Sequence, residues 1–206
     1  FCGGETGIEV TATAVILSGG ASRRMGYPKA LLAYKGETFA DRLISTFSDY
    51  CQPVVLVVGA GAALIKAGIR RGDEVRTVLN PEPEQGQFSS LQCALREVDA
   101  ACDAVAFIPV DYPSIRRSTI AQLMDALRAD TKNNLFFIPR HEKQRGHPVV
   151  FRAALIPEFL ALGWDAQARQ VVHKYRDRTT YVDVDDPGIT RDIDDREAYI
   201  RLVSGS

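Results

Sequence analysis

Thr13-Ala14-Val15-Ile16-Leu17-Ser18-Gly19-Gly20-Ala21-Ser22-Arg23-Arg24-Met25-Gly26-Tyr27-Pro28-Lys29 runs from an apolar, β-branched stretch into a glycine turn crowded with cations. Thr13 to Leu17 reads as the first buried strand of an α/β domain. The glycines leave the strand end without side chains, so backbone N–H groups can close around a ligand. Arg23, Arg24 and Lys29 follow with no acid between them. An open-backed loop this cationic suits a polyphosphate.

Further along, strand-like and helix-like patterns alternate. Thr13–Leu17, Val54–Val58, Arg76–Leu79, Ala104–Ile108, Leu135–Ile138, Pro148–Phe151 and Thr180–Val184 read as strands. Thr38–Asp49, Ala60–Ala67, Ser89–Val98, Ser118–Ala129, Ala153–Leu160 and Ala166–Tyr175 read as helices. Strand and helix in repetition predict a mainly parallel sheet with helices on both faces, a three-layer α/β/α, Rossmann-like arrangement. Ligands of such sheets lie beyond the carboxyl ends of the strands. That puts the first loop and the loops after Leu79 and Ile108 on one rim. Residues 1–12 are expected to be a loose lead-in and 13–206 a single domain. Asn80–Phe88, Arg140–Arg145 and Asp185–Asp195 read as long polar loops of the kind that carry function. Asp194 or Asp195 falls near the cap of a closing helix.

The chain has 206 residues, 46% hydrophobic and 25% charged, with a formal net charge of −1. That composition suits a globular core, and the absence of a basic excess argues against nucleic acid as partner. No apolar run is long enough to span a membrane, and the start lacks the charge-then-apolar order of a signal peptide. Cys2, Cys51, Cys93 and Cys102 have no paired spacing, so reduced thiols and a cytoplasmic location are expected.

A Walker A loop is excluded, because five residues separate Gly20 from Gly26 and Tyr27 stands where its lysine belongs. Gly59-Ala60-Gly61 echoes a dinucleotide fingerprint without its third glycine, and reads as a turn into a helix. No Ser-His-Asp or Cys-His arrangement is readable, and His141 and His173 have no metal-ligand spacing. Trp164, after Gly163, reads as the anchor of a helix start. Asp111, at a strand's carboxyl end on the rim, suits Mg²⁺, which takes one or two carboxylates plus phosphate oxygens and water. Its plainer role would be a helix cap or turn before Pro113.

The loop L-S-G-G-x-S-x-R-M-G-x-P-K resembles the opening signature of the sugar-nucleotide and molybdenum-cofactor nucleotidyltransferases, above all the MobA/MocA-like branch. Later segments resemble the same family in order: Asn80-Pro81…Gly86-Gln-Phe-Ser89-Ser90-Leu91, Asp111-Tyr-Pro113, Arg145-Gly146-His147-Pro148-Val149-Val150-Phe151 and Asp192-Ile-Asp194…Tyr199. In the last, Asp195-Arg196 replaces the usual Thr-Pro. The resemblance implies a Mg²⁺-dependent nucleotidyltransferase acting on a nucleoside triphosphate and a phosphorylated small-molecule acceptor such as molybdopterin. It implies nucleotide binding by Leu17, Ser18, Gly19, Gly20, Ser22, Arg24, Met25, Gly26, Lys29, Asn80, Gly86, Ser89 and Ser90. Arg24 and Lys29 would hold the β- and γ-phosphates and, with Asp111, serve catalysis. Asp111 and Asp194 would hold the metal, with Asp192 the alternative second ligand. Asp183, Asp185 and Asp186 nearby read as an acid-rich, solvated loop. Arg145, Gly146 and His147 would meet the acceptor, although His147 beside Pro148 also reads as packing, and Ser89 as a helix N-cap. The Leu17–Gly20 start resembles the guanylyl type and Gly86–Leu91 the cytidylyl type. The later segments favour CTP over GTP.

Overall fold

Strands that are apolar along their whole length need cover on both faces, and that requirement organises the chain. In the computed structural model, which describes residues 10–20, 25–163 and 166–205, the first run forms β1 (Ala12–Ser18), buried throughout. There follow β2 (Ala33–Tyr34), β3 (Glu37–Thr38), α1 (Phe39–Ser48), β4 (Val54–Val58), α2 (Ala62–Gly68), β5 (Arg76–Leu79), α3 (Gln87–Leu95), β6 (Ala104–Pro109) and α4 (Arg117–Arg128). The second half supplies β7 (Phe136–His141), β8 (Gln144–Arg145), β9 (Val149–Arg152), α5 (Ile156–Ala161), α6 (Ala168–Lys174), β10 (Thr179–Asp183) and α7 (Arg196–Ser204).

The main sheet has the order β10-β7-β9-β6-β1-β4-β5, with β8 paired to β7. β1 lies parallel between β4 and β6, β5 extends that side, and β10 lies parallel to β7. β9 is antiparallel to both β6 and β7. Alternate residues of the central strands feed two cores. Ile16, Leu56 and Ile108 pack with Phe39, Leu43 and Leu123 of α1 and α4. Val15, Val57 and Phe107 pack with Leu91 and Phe159 of α3 and α5. The result is the mostly parallel α/β/α sandwich that the alternating pattern predicts.

Register sets the rim. Leu17 pairs with both Val57 and Pro109, and Val58 with Leu79, so β1, β4, β5 and β6 end at one level. Because β9 runs the other way, its beginning reaches that same level, with Val149 opposite Phe107. The antiparallel strand therefore delivers the segment at 145–148 to the rim.

Several expectations need correction. The loose lead-in does not extend to residue 12: Ala12 opens β1, and the Thr11 amide donates to Asp103 Oδ2 at 2.8 Å. Arg140–Arg145 is a β7–β8 hairpin rather than an open loop, turning at Glu142 and Lys143, both with positive φ. α3 starts at Gln87 with Gly86 at its N-cap, so Ser89 does not cap it. Trp164 lies outside the described residues. Cys51, Cys93 and Cys102 are free thiols, as expected, and among the described residues no helix is long and apolar enough to cross a membrane.

Phe151 is wholly buried, with its ring centroid 4.6 Å from Phe159 and 6.1 Å from Phe136. Phe151→Ala should cost about 3–5 kcal/mol in denaturant unfolding; a loss below about 1 kcal/mol would contradict this core.

Candidate active site

Where β1 and β6 end together, the backbone joins them: the Val110 amide donates to the Leu17 carbonyl at 3.0 Å. Asp111 is thereby fixed beside the first loop. The Asp192–Asp194 segment is tied to the same place, because the Ile193 amide donates to the Asp111 carbonyl at 2.9 Å. Ile193 turns into the core, leaving the carboxylates on either side of it exposed. Asp195 caps α7 by accepting from the Ala198 amide at 2.8 Å, which leaves Asp194 to face Lys29.

Lys29 opens a short helical turn after Pro28 and reaches between the two acids. Its Nζ donates to Asp111 Oδ2 at 2.9 Å and to Asp194 Oδ1 at 2.7 Å. Burial works against the ammonium, but the hydrogen bonds and attraction of Asp194 and Asp111 outweigh it and raise its pKa. Burial pushes the Asp111 carboxyl above the usual carboxylate range, further than Lys29 draws it down, with Asp194 and Asp192 adding to the push. Burial and the same three acids raise the neighbouring Tyr112 phenol as well.

Asp111 Oδ1 is buried and has no hydrogen-bond partner among the described residues. An orphaned carboxylate oxygen next to a second carboxylate is the donor set that a divalent cation completes. Among the described residues no group of three or more His, Cys, Asp or Glu side chains could hold a metal. The pair therefore fits an ion that keeps water and phosphate oxygens in its shell, as Mg²⁺ does.

Two cavities meet here. A cleft of about 620 Å³ is lined by Ser18, Gly19, Gly20, Lys29, Asp111 and Asp194, with Leu17, Met25, Gly86 and Ser90 also on its wall. The loop lies flat because Gly59 has no side chain: a Cβ there would stand 2.5 Å from the Gly19 carbonyl oxygen. Gly59 thus serves the packing of the first loop rather than a dinucleotide fingerprint. A second pocket of about 990 Å³ is lined by Phe107, Tyr112, Arg145, Gly146, His147 and Arg169, and shares Leu17, Gly86 and Gln87 with the first. Consecutive residues, Asp111 and Tyr112, line the two cavities.

Other expected residues are placed differently. Asn80 is 2% exposed and donates from Nδ2 to both Ser89 Oγ and Ser90 Oγ, each at 2.9 Å. Asn80 and Ser89 lock the 80–90 loop from behind and do not line the cleft. Gly26 does not line it either, and its φ of +66° marks a backbone turn. Ser22 and Arg24 lie outside the described residues, as does Arg23. His147 is no cation for an acceptor phosphate. Its ring packs against Tyr112 at 4.8 Å and Phe107 at 5.8 Å, and burial brings its pKa down to about 4. Arg145 remains a cation at the pocket mouth, its guanidinium 4.3 Å from the Tyr181 ring centroid. Gln87, Arg169 and Thr190 are lining residues that sequence reasoning missed. Gln87 lies inside a quoted motif and Thr190 inside the Asp185–Asp195 loop, without being marked individually; Arg169 stands in a helix with no spacing to mark it.

Against this geometry the comparisons are decisive. The chain matches the family profile of the MobA-like NTP transferase domain over residues 14–179. It belongs to that family. Within reach of the family, the chain is 29% identical to the nicotine blue oxidoreductase of Paenarthrobacter nicotinovorans, over 93% of this chain and 96% of that one. It is 32% identical to the molybdenum cofactor guanylyltransferase of Sinorhizobium fredii, over 55% of this chain and 52% of that one. Among solved structures it is similar to Rv0371c of Mycobacterium tuberculosis H37Rv, with a TM-score of 0.83, 26% identity, and coverage of 95% and 98%. A manganese complex of Rv0371c shares the fold at a TM-score of 0.80 and 23% identity, over 96% of this chain and 100% of that one.

The His147 ring gives a pH prediction. Unfolded, it titrates near its ordinary value of 6.5; folded, at about 4. Between those values the unfolded chain binds the extra proton, so stability falls as pH drops from 6.5 to 4. NMR should find the His147 ring signals constant from pH 8 to 5.5 and moving only nearer 4. A midpoint above 6 would contradict its burial.

Proposed function

We propose that the protein transfers a nucleoside monophosphate from a nucleoside triphosphate to a phosphorylated small-molecule acceptor and releases pyrophosphate. The observation that carries this reading is a cleft holding the Lys29–Asp111–Asp194 cluster that shares Leu17, Gly86 and Gln87 with a larger pocket, whose wall includes the next residue, Tyr112. A triphosphate laid along the first loop would meet backbone amides on one side and this cluster on the other. An acceptor in the larger pocket would enter past Tyr112, with its phosphate toward Arg145.

The chemistry asks little covalent work of the protein. An acceptor phosphate oxygen, already ionised at neutral pH, forms the new bond to the α-phosphorus, while the bond to the β,γ-diphosphate breaks in line. Alignment and charge stabilisation account for most of such a transfer. Lys29 stabilises the departing pyrophosphate, and the loop amides fix the chain of phosphates. Asp111 and Asp194 would hold a divalent ion, Mg²⁺ in this reading, which supplies Lewis acidity and neutralises charge on the phosphate oxygens. Lys29, which here bridges the two carboxylates, would be within reach of the phosphates once they lie along the loop.

CTP is the proposed nucleotide, on the Gly86–Leu91 segment; similarity to the Sinorhizobium guanylyltransferase favours GTP. The experiment is a pyrophosphate-release assay with each of the four triphosphates, against molybdopterin and against sugar and alditol phosphates. Release with one triphosphate and molybdopterin supports the reading. Release only with sugar or alditol phosphates moves the acceptor class. A second reading rests on the similarity to the nicotine blue oxidoreductase over 96% of its length: an oxidoreductase would turn over a redox substrate with no pyrophosphate released. Binding of a triphosphate with neither outcome would make the protein a nucleotide-binding module.

Asp111→Asn should lower turnover at least about 100-fold, in the range seen when one charge-stabilising group is removed. Its melting temperature should stay within a few degrees of the wild type, because the carboxylate makes no contact that holds the core. Lys29→Ala should lose turnover comparably. Near-native turnover in either variant would remove that residue from the mechanism.

A further inference from the structure

Asp186 is 1% exposed, although its acid-rich surroundings in the sequence read as solvated loop. A buried carboxylate is costly unless its oxygens are satisfied, so its place in the fold has a reason. Its Oδ2 accepts from the Arg116 amide at 2.8 Å and from Thr119 Oγ1 at 2.6 Å; its Oδ1 accepts from the Gly188 amide at 2.9 Å. The guanidinium of Arg116 stands 4.0 Å away. Arg116 is the N-cap residue of α4 and makes no cap bond of its own. Asp186 therefore caps α4 from a distant part of the chain, where a negative charge is favoured by the helix dipole.

That cap joins the two segments on which the site depends. One is the loop at 111–116, which carries Asp111 and Tyr112 into α4. The other is the strap at 186–194, which leaves β10, crosses the rim and ends at Asp194. Along the strap, the Ile189 carbonyl accepts from the His147 amide at 2.9 Å and packs on Gly146, where a Cβ would lie 2.1 Å from it. Ile189 and Thr190 wall the larger pocket. Further on, the Ile193 amide meets the Asp111 carbonyl. The strap thus touches the acceptor side through Ile189 and the metal side through Ile193, and its fixed end is Asp186.

We infer that Asp186 is a positioning residue for the reaction, setting the distance between Asp111 and Asp194 and the place of the acceptor wall. The inference rests on the proposed function, in that Asp111 and Asp194 are taken as the metal pair. Asp186 touches no substrate and acts through the strap alone.

The test uses the whole chain and Mn²⁺ alone, with the free ion counted by its electron paramagnetic resonance signal. Amide hydrogen exchange is followed in parallel without metal. Asp186→Asn replaces one acceptor oxygen with an NH2 group, which turns donors toward the donors at Arg116 or Gly188. It should weaken Mn²⁺ binding at least fivefold and speed exchange at His147 and Ile193 at least tenfold, leaving the amides of Val15 and Ile16 protected. Thr119→Val, which keeps the carboxylate and removes one bond, should move both readouts in the same direction by a smaller factor, and stands in if the first variant fails to fold. Phe151→Ala, a core variant that removes no hydrogen bond of the strap, should lose stability and keep its Mn²⁺ affinity.

Wild-type Mn²⁺ affinity in both strap variants would overturn the inference and leave the proposed function standing. Equal weakening in Phe151→Ala would also overturn it, since the effect would then be general destabilisation. Absence of Mn²⁺ binding by the wild type would refute the metal pair itself, and this inference with it.

Discussion

One ammonium between two carboxylates organises this protein's rim. Lys29 comes from the turn after β1, Asp111 from the end of β6 and Asp194 from the strap before α7, so three distant parts of the chain converge on one point. At its centre Asp111 Oδ1 is buried with no hydrogen-bond partner among the described residues. The two pKa values rise for different reasons: burial pushes the Asp111 carboxyl up, whereas the two acids outweigh burial to raise the Lys29 ammonium. A second cation is what the arrangement asks for, and phosphate oxygens are what would follow it.

The sheet makes that convergence possible at low cost. Parallel strands buried on both faces end at one level, which places loops separated by many residues side by side. The reversal at β9 brings the start of a strand, rather than its end, to the same rim, so that Gly146 and His147 wall the larger pocket. Flat packing of Gly59 on Gly19 and the inner lock of Asn80 with Ser89 and Ser90 keep the first loop open toward ligand.

The fold was largely legible because its signal is local. Continuous β-branched runs such as Val54–Val58 and Ala104–Ile108 need no distant information to be read as buried strands. The glycine turn after β1 was legible because its glycines carry a reason of their own, while the cations at 23 and 24 lie outside the described residues. What escaped the sequence depends on partners far along the chain. Nothing local marks Glu142-Lys143 as a hairpin turn, since neither residue favours positive φ. Ser89 reads as a cap until Gly86 takes that position and Asn80 claims its hydroxyl. Asp186 is indistinguishable in sequence from exposed Asp185, and only the approach of α4 buries it. The partners of Lys29 were likewise hidden, because its two acids lie 82 and 165 residues away.

The most direct measurement of the central claim is anomalous diffraction from crystals soaked with Mn²⁺ and a non-hydrolysable triphosphate. The account predicts a manganese peak bonded to Asp111 Oδ1 and to Asp194, with the phosphates along residues 18–20 and the Lys29 ammonium moved onto them. A peak elsewhere, or Lys29 still bridging both carboxylates beside an ordered triphosphate, would contradict it.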